Sequence, residues 1–279
     1  MASIPVSGSV IRWAGSKRRL LPRLAEYWSE GCKRYVEPFV GSAALFFLLR
    51  PSSAVLGDIN GELVNALEQL SRHPKRLHSS LIALPRSRRT YQAYRKQAPT
   101  GMPCLDRAVR FFYLNRYCFN GLYRTNTQGQ FNVPYAPARS GRFPSVERFV
   151  DCGRLLRRAT LREGDFEELI RAEVAKADFV YLDPPYAVAN RRLFRQYGPD
   201  TFGLQDIDRL GSVLNHIHSV GATFVLSYAD SVEARRLFGE WHYRRVRVQR
   251  NVAGFASGRR GSVEVLISNV APPKAIATK

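Results

Sequence analysis

Four short apolar runs in this chain each end on a carboxylate, and that repeat limits the folds open to it. The runs are Arg34–Glu37, Ala54–Asp58, 159–165 and 178–183, ending on Glu37, Asp58, Asp165 and Asp183. Residues 43–50 form an apolar segment long enough for a short helix, and helical stretches follow at 166–176 and Leu204–Ser219. A further strand is predicted at 222–227. Strands alternating with helices predict an α/β fold built on a mainly parallel, doubly wound sheet. Two late strands, 243–249 and 263–268, bracket a glycine-rich loop without a helix between them, which predicts an antiparallel edge. The tail 271–279, with Pro272 and Pro273, is expected to fray. In such sheets ligands bind beyond the carboxyl ends of the strands, at the point where strand order reverses. One acid at a strand end is commonly a helix cap. Four together predict a ligand crevice.

Charge divides the chain. It carries 43 Lys and Arg against 23 Asp and Glu, a net +20. Such an excess costs self-repulsion in the folded state, so a polyanionic partner is the natural reading. From Gln69 to Val146 there is one acid, Asp106, against fourteen Lys and Arg, an excess of +13. That asymmetry predicts a nucleic-acid-facing module inserted into a more neutral core. The expected division is a core of residues 1–66 and 150–279 and an inserted module of residues 67–149. Cys32, Cys104, Cys118 and Cys152 have no metal-site or redox spacing, and no obligatory metal is expected. The longest apolar run, 43–49, is far too short to span a bilayer, and the N-terminus lacks the pattern of a secretory signal. The expected setting is the cytoplasm, with no membrane partner.

The most specific chemical signal is Asp183-Pro184-Pro185-Tyr186, which follows the run Phe179-Val180-Tyr181-Leu182. Two prolines remove two backbone donors and hold the chain extended. A carboxylate and a free, rigidly aimed carbonyl can together accept both hydrogens of an exocyclic amine. Tyr186 then offers a flat face on which a base can stack.

With these residues the chain resembles the DNA adenine methyltransferase (Dam) family, over nearly its whole length from Arg12 to Asn269. The resemblance implies a Rossmann-like S-adenosylmethionine-dependent methyltransferase core carrying an inserted, mainly helical DNA target-recognition domain. It implies S-adenosyl-L-methionine as cofactor, and transfer of its methyl group to N6 of an adenine flipped out of double-stranded DNA. Asp183, Pro184 and Tyr186 would be catalytic. Trp13 and Lys17 lie in a segment, Arg12-Trp13-Ala14-Gly15-Ser16-Lys17, that is similar to the family's N-terminal cofactor segment. There Trp13 would pack on the cofactor and Lys17 would pair with its carboxylate. Phe39 and Gly41 belong to the first-strand motif 37–43, where Ala43 replaces a glycine common in the family. Asp58 would clamp the ribose hydroxyls. Asp165 would take the cofactor adenine's amine, Phe166 would flank its ring, and Asp183 borders the same site.

Target recognition is expected in 115–126 and 129–135, where basic, aromatic and amide residues interleave around glycines. Arg124 is the candidate for bidentate reading of a guanine through O6 and N7. Phe119 would wedge into the stack where the adenine leaves. Leu122 and Pro134 match family positions that touch bases, and Arg12, Arg116, Asn120 and Asn126 complete the hairpin's expected DNA contacts. Arg259 and Arg260, before the last strand, are expected phosphate ligands. Residues 187–201 would form a mobile loop over the extruded base. Pro137-Ala138-Arg139 departs from the residues of the GATC-modifying members, so GATC is the leading candidate target without being fixed. Alternatives stay open: an amino-methyltransferase acting on RNA adenine or on cytosine N4, or an inactive DNA-binding homologue. The expected partner is double-stranded DNA, contacted by a monomer, with a cognate restriction endonuclease as an open further partner.

Overall fold

The computed structural model describes residues 8–126, 128–139, 141–185, 202–248 and 262–272. Seven strands form one sheet: β1 Arg34–Glu37, β2 Ala54–Asp58, β3 Ala159–Glu163, β4 Asp178–Leu182, β5 Thr223–Ala229, β6 His242–Val248 and β7 Ser262–Ser268. Their order is β3-β2-β1-β4-β5-β7-β6. The first five are parallel, with Val36 of β1 opposite Val55 of β2 and Val180 of β4. β7 lies between β5 and β6 and runs antiparallel to both. The expected antiparallel edge is therefore one reversed strand set inside the sheet. The chain builds outward from β1 to β3, then returns to the other side of β1 with β4. The switch point thus falls between β1 and β4.

The central strands are buried on both faces, as parallel strands covered by helices must be. Alternation along them serves two cores. Tyr35, Phe179 and Tyr181 point into one; Val36, Val180 and Leu182 point into the other. Helices α1 (Leu21–Ala25), α2 (Ala44–Leu49) and α3 (Gly61–Arg72) contribute to the first core, and α8 (Phe166–Glu173), α9 (Leu204–Ser219) and α10 (Val232–Phe238) to the second. Local chemistry starts them. The Asn60 carboxamide accepts from the Glu62 and Leu63 amides to open α3, and the Asp165 carboxylate accepts from the Glu167 amide to open α8. Gly57 lets α8 sit tight on β2: a Cβ there would fall 2.1 Å from Leu169 Cδ1.

The basic segment between β2 and β3 is mainly helical, with α4 (Pro74–Ile82), α5 (Arg88–Lys96), α6 (Cys104–Tyr117) and α7 (Val146–Leu156). Its apolar residues Leu77, Leu81, Tyr91, Phe111, Phe112 and Phe149 join the same core as Tyr35, Phe46 and Phe179. These helices share the core on one face of the sheet instead of closing a separate one. Each aromatic buried this way contributes roughly 1.5–3 kcal/mol. The segment's position against the sheet is therefore set by packing. Among the described residues no helix is long and apolar enough to cross a membrane.

Candidate active site

A cavity of about 650 Å³ opens at the carboxyl ends of the strands, within the ~300–1,000 Å³ usual for cofactor sites. It brings together Trp13, Lys17, Phe39, Gly41, Asp58, Asp165, Phe166, Asp183 and Pro184, drawn from positions far apart in the sequence. Tyr186, Arg259, Arg260 and the loop 187–201 lie outside the described residues.

At the switch point the acids are crowded. Glu37 ends β1 and is buried, and its Oε2 has no hydrogen-bond partner among the described residues. Burial pushes its carboxyl well above the ordinary range, with the Asp183 and Asp58 charges adding to the rise. Asp58, at the end of β2, accepts from the Gly41 amide through Oδ2 (3.1 Å) and from the Asn60 amide through Oδ1 (3.0 Å). Burial lifts it to about 6 against the pull of those two amides. Beside it Ile59 is 62% exposed at the cavity wall.

Asp183 is held from one side. Its Oδ1 lies 3.0 Å from Lys17 Nζ and accepts from Ser227 Oγ at 2.8 Å. Burial raises its pKa, opposed mainly by the Lys17 charge. Lys17 also stands 3.9 Å from Glu264. The sequence reading has Lys17 pairing with a cofactor carboxylate; in the folded chain it is bound to the strand-end acid itself.

The far end of the cavity is organised by a residue that sequence reasoning missed. Arg209, on α9, binds Asp165 Oδ1, Glu167 Oε2 (2.8 Å) and Asp206 Oδ1 (2.9 Å). Its guanidinium lies 4.8 Å from the centre of the Phe166 ring, and Phe39 stacks on Phe166 at 5.1 Å. Asp165 thus has Oδ1 engaged by Arg209 and the Glu167 amide, which leaves Oδ2 as its second acceptor. No local signal marks Arg209 in the sequence, because its partners come from β3–α8 and its own helix. Glu37 was among the four strand-end acids that the sequence marks for the crevice, whereas Ile59 and Ser227 were visible only as parts of strands and their ends.

Gly41 has φ +45, and a Cβ there would fall 2.8 Å from the Trp13 indole. The close approach that glycine permits is thus to Trp13, which stacks in turn with Phe111 and Tyr123. Ala43, where a second glycine was expected to be favoured, holds the left-handed conformation with φ 52. For a residue with a Cβ that conformation costs roughly 1–2 kcal/mol.

The hairpin region closes the other wall. Leu122 and Tyr123 line the cavity. Arg12 is tied to α6, its amide donating to Asn115 Oδ1 (3.0 Å) and its Nη1 to the Arg116 carbonyl (2.6 Å). Arg116 lies over Phe143 and donates to the Arg142 carbonyl. Burial lowers its pKa to about 10, and Arg12 adds to the effect. Phe119 is 43% exposed, and its amide donates to the carbonyl of exposed Pro134, so the two sit side by side at the surface with exposed Asn120. Arg124 Nε donates to Asn132 Oδ1 at 2.7 Å, which holds the guanidinium along the hairpin. Asn126 spends its Oδ1 on the amides of Gln128 and Gln130, closing the turn. Among the described residues no group of His, Cys, Asp or Glu is arranged to hold a metal ion.

Comparison with known proteins places this chain among enzymes. Residues 13–253 match the profile of the D12 class N6 adenine-specific DNA methyltransferases. The chain is 32% identical over 267 residues to a protein of Lactococcus lactis subsp. cremoris named Type II methyltransferase M1.LlaDCHI, covering 92% of this chain and 94% of that one. It is 32% identical over 247 residues to a DNA N-6-adenine-methyltransferase of Escherichia phage P1, covering 85% of this chain and 32% of the phage protein. A DNA adenine methylase of Vibrio cholerae serotype O1 is 28% identical over 262 residues, covering 92% of this chain and 94% of the relative.

Proposed function

This chain belongs to the D12 class of N6 adenine-specific DNA methyltransferases, and from that premise we propose how its residues divide the work of methyl transfer. The substrate is DNA and the product carries a methyl group on adenine N6. The donor we assign is S-adenosyl-L-methionine. The observation that carries this assignment is the cavity itself: a ribose-type carboxylate (Asp58), an exposed apolar wall (Ile59), aromatics (Phe39, Phe166) and a strand-end acceptor (Asp165) line one space with Asp183. When bound, that cofactor supplies a methyl group already activated by a positively charged sulfur.

Asp58 receives the ribose hydroxyls on the lone pairs its backbone amides leave. Asp165 Oδ2 receives the adenine amine, and Ile59 and the Phe39–Phe166 pair flank the ring. Trp13, seated on Gly41, forms the wall between this pocket and the hairpin. Lys17 neutralises part of the charge at the switch point.

At the reacting end, Asp183 and the Pro184 carbonyl accept the two hydrogens of the target N6. That would favour a tetrahedral nitrogen whose lone pair can take the methyl group; the sulfur would leave as a neutral thioether and N6 would lose one of its two protons to solvent. Tyr186 stacks on the target base. Catalysis of this kind is positioning and electrostatics. The base has to leave the duplex to reach a pocket this deep. Phe119 fills the gap, with Asn120, Leu122 and Pro134 against neighbouring bases. Arg124 reads a guanine near the adenine, with GATC the leading target. Residues 67–149 form the recognition module, with Arg12, Arg116, Arg259 and Arg260 on the backbone and Asn126 shaping the turn. The enzyme acts as a cytoplasmic monomer.

The test is to incubate purified protein with S-adenosyl-L-methionine and genomic duplex DNA, then map methylated bases by methylation-sensitive sequencing. The expected result is N6-methyladenine in one short motif with a guanine near the modified base. For Arg124→Ala, discrimination at one base pair falls by about 1–3 kcal/mol. Methylation of cytosine, or of RNA alone, would overturn the reading.

A further inference from the structure

Asp183 Oδ1 is supported by a buried chain of hydroxyls that the family reading does not use. Ser227 on β5 is fully buried and donates to Asp183 Oδ1 at 2.8 Å. The Ser227 oxygen lies 3.2 Å from the hydroxyl of Tyr181, itself 4% exposed, on the neighbouring strand β4. Counting protons fixes the direction of both bonds. An ionised carboxylate only accepts, so the single hydroxyl proton of Ser227 goes to Asp183. The Ser227 oxygen must then accept from Tyr181. Register makes this possible, since Leu182 pairs with Leu226, so Asp183 and Ser227 are the next residues along two adjacent parallel strands.

We propose that Tyr181 and Ser227 form a one-way hydrogen-bond relay, Tyr181 to Ser227 to Asp183, which fixes the Asp183 carboxylate for methyl transfer. Both act on Asp183 and are positioning residues, Tyr181 also lining the cavity. The relay occupies Oδ1 together with Lys17 and turns Oδ2 toward the target amine. It also favours the ionised carboxylate in a place where burial disfavours it. Among the described contacts, Tyr181 reaches the carboxylate through Ser227. The inference rests on Asp183 being the acceptor of the N6 hydrogen.

The test uses full-length S227A, Y181F and the double variant, with D183N as the reference for the underlying reading. Single-turnover methyl transfer into duplex DNA is measured across pH at saturating donor. S227A is expected to lower the rate about 10- to 100-fold, the range for losing a bond to a charged group. Y181F is expected to lower it only about threefold, a neutral bond polarising the next one. The double variant should match S227A, since the relay is already cut. Among the described residues, the charged and titratable groups facing Asp183, besides Tyr181 itself, are Lys17 from the N-terminal segment, Tyr35 and Glu37 from β1 and Glu264 from β7. All of them are unchanged in these variants. Losing a donor to the carboxylate raises its pKa, so the acid limb of the rate profile moves to higher pH in S227A and by less in Y181F. Affinities for DNA and for donor stay within twofold, and thermal melting checks folding. Multiplying effects in the double variant would overturn the relay. A lowered rate with an unmoved acid limb would make Ser227 a packing residue. Full activity in D183N would instead remove the premise, leaving the two failures distinguishable.

Discussion

Asp183 and Asp165 both follow strands of the same sheet and line the same cavity, yet they are held in opposite ways. Asp183 has one lysine and one serine on a single oxygen, sits among the acids Glu37 and Glu264, and has its pKa raised. Asp165 is bound to Arg209, whose guanidinium is shared with Glu167 and Asp206 and packed on Phe166. Those bonds raise the arginine pKa further, so its charge is permanent. At one end Lys17 stands between Asp183 and Glu264; at the other Arg209 binds three carboxylates. A carboxylate that must act on a weakly nucleophilic amine gains from being ionised, with one oxygen held and the other open to accept. A carboxylate that only has to recognise a ring edge gains from being fixed. On the proposed roles, the contrast gives rate to the Asp183 end and affinity to the Asp165 end.

The largest way to break that assignment is D183N. It should reduce methyl transfer at least about 10³-fold, the scale for removing a preorganised electrostatic group, while filter binding of duplex DNA and calorimetric donor affinity change little. A comparable loss of donor affinity would mean that Asp183 serves both ends. Next is R209L, which leaves Asp165 without its cation. Donor Kd should rise about 10- to 100-fold, since bonds to charged groups are worth roughly 1.5–3 kcal/mol. The rate at saturating donor should hold.

A third test sharpens the boundary between the ends, where Asp58 stands. Its pKa of about 6 is raised above the ordinary value. The ionised form is the better acceptor for ribose hydroxyls. Donor affinity should therefore be full at pH 7.5 and fall as pH drops through 6, by up to about tenfold per unit below the pKa. D58N should bind more weakly at pH 7.5 and lose that pH dependence. The smallest effect concerns the loop joining β1 to α2. A43G relieves a left-handed alanine and should raise stability by up to about 1 kcal/mol, read as a small rise in melting temperature with unchanged kinetics.

These two ends were unequally legible from sequence. The strands Arg34–Glu37 and Ala54–Asp58 and the helix Leu204–Ser219 fall where apolar patterning and terminal acids put them. Asp183 was legible because two prolines after a buried run leave few structural explanations. Arg209 was not, because a guanidinium on a helix reads as a solvated charge until Asp165 and Glu167 arrive from another part of the chain. Ser227 was hidden for the same reason, its partners lying 44 and 46 residues away. The place of β7 between β5 and β6 was likewise decided by tertiary pairing. The helix Val232–Phe238 went unread in a short, charged stretch with little apolar repeat.

The account's central claim is that the two ends work separately, and a double-mutant cycle on donor binding tests it most directly. R209L is introduced into the wild type and into D183N, and donor Kd is measured by calorimetry in all four proteins. Among the described residues Asp183 and Arg209 share no hydrogen-bond partner, so the account predicts the same loss on R209L in both backgrounds, with a coupling below about 0.5 kcal/mol. A coupling above about 1 kcal/mol would show one continuous site, and the division of rate from affinity would be wrong.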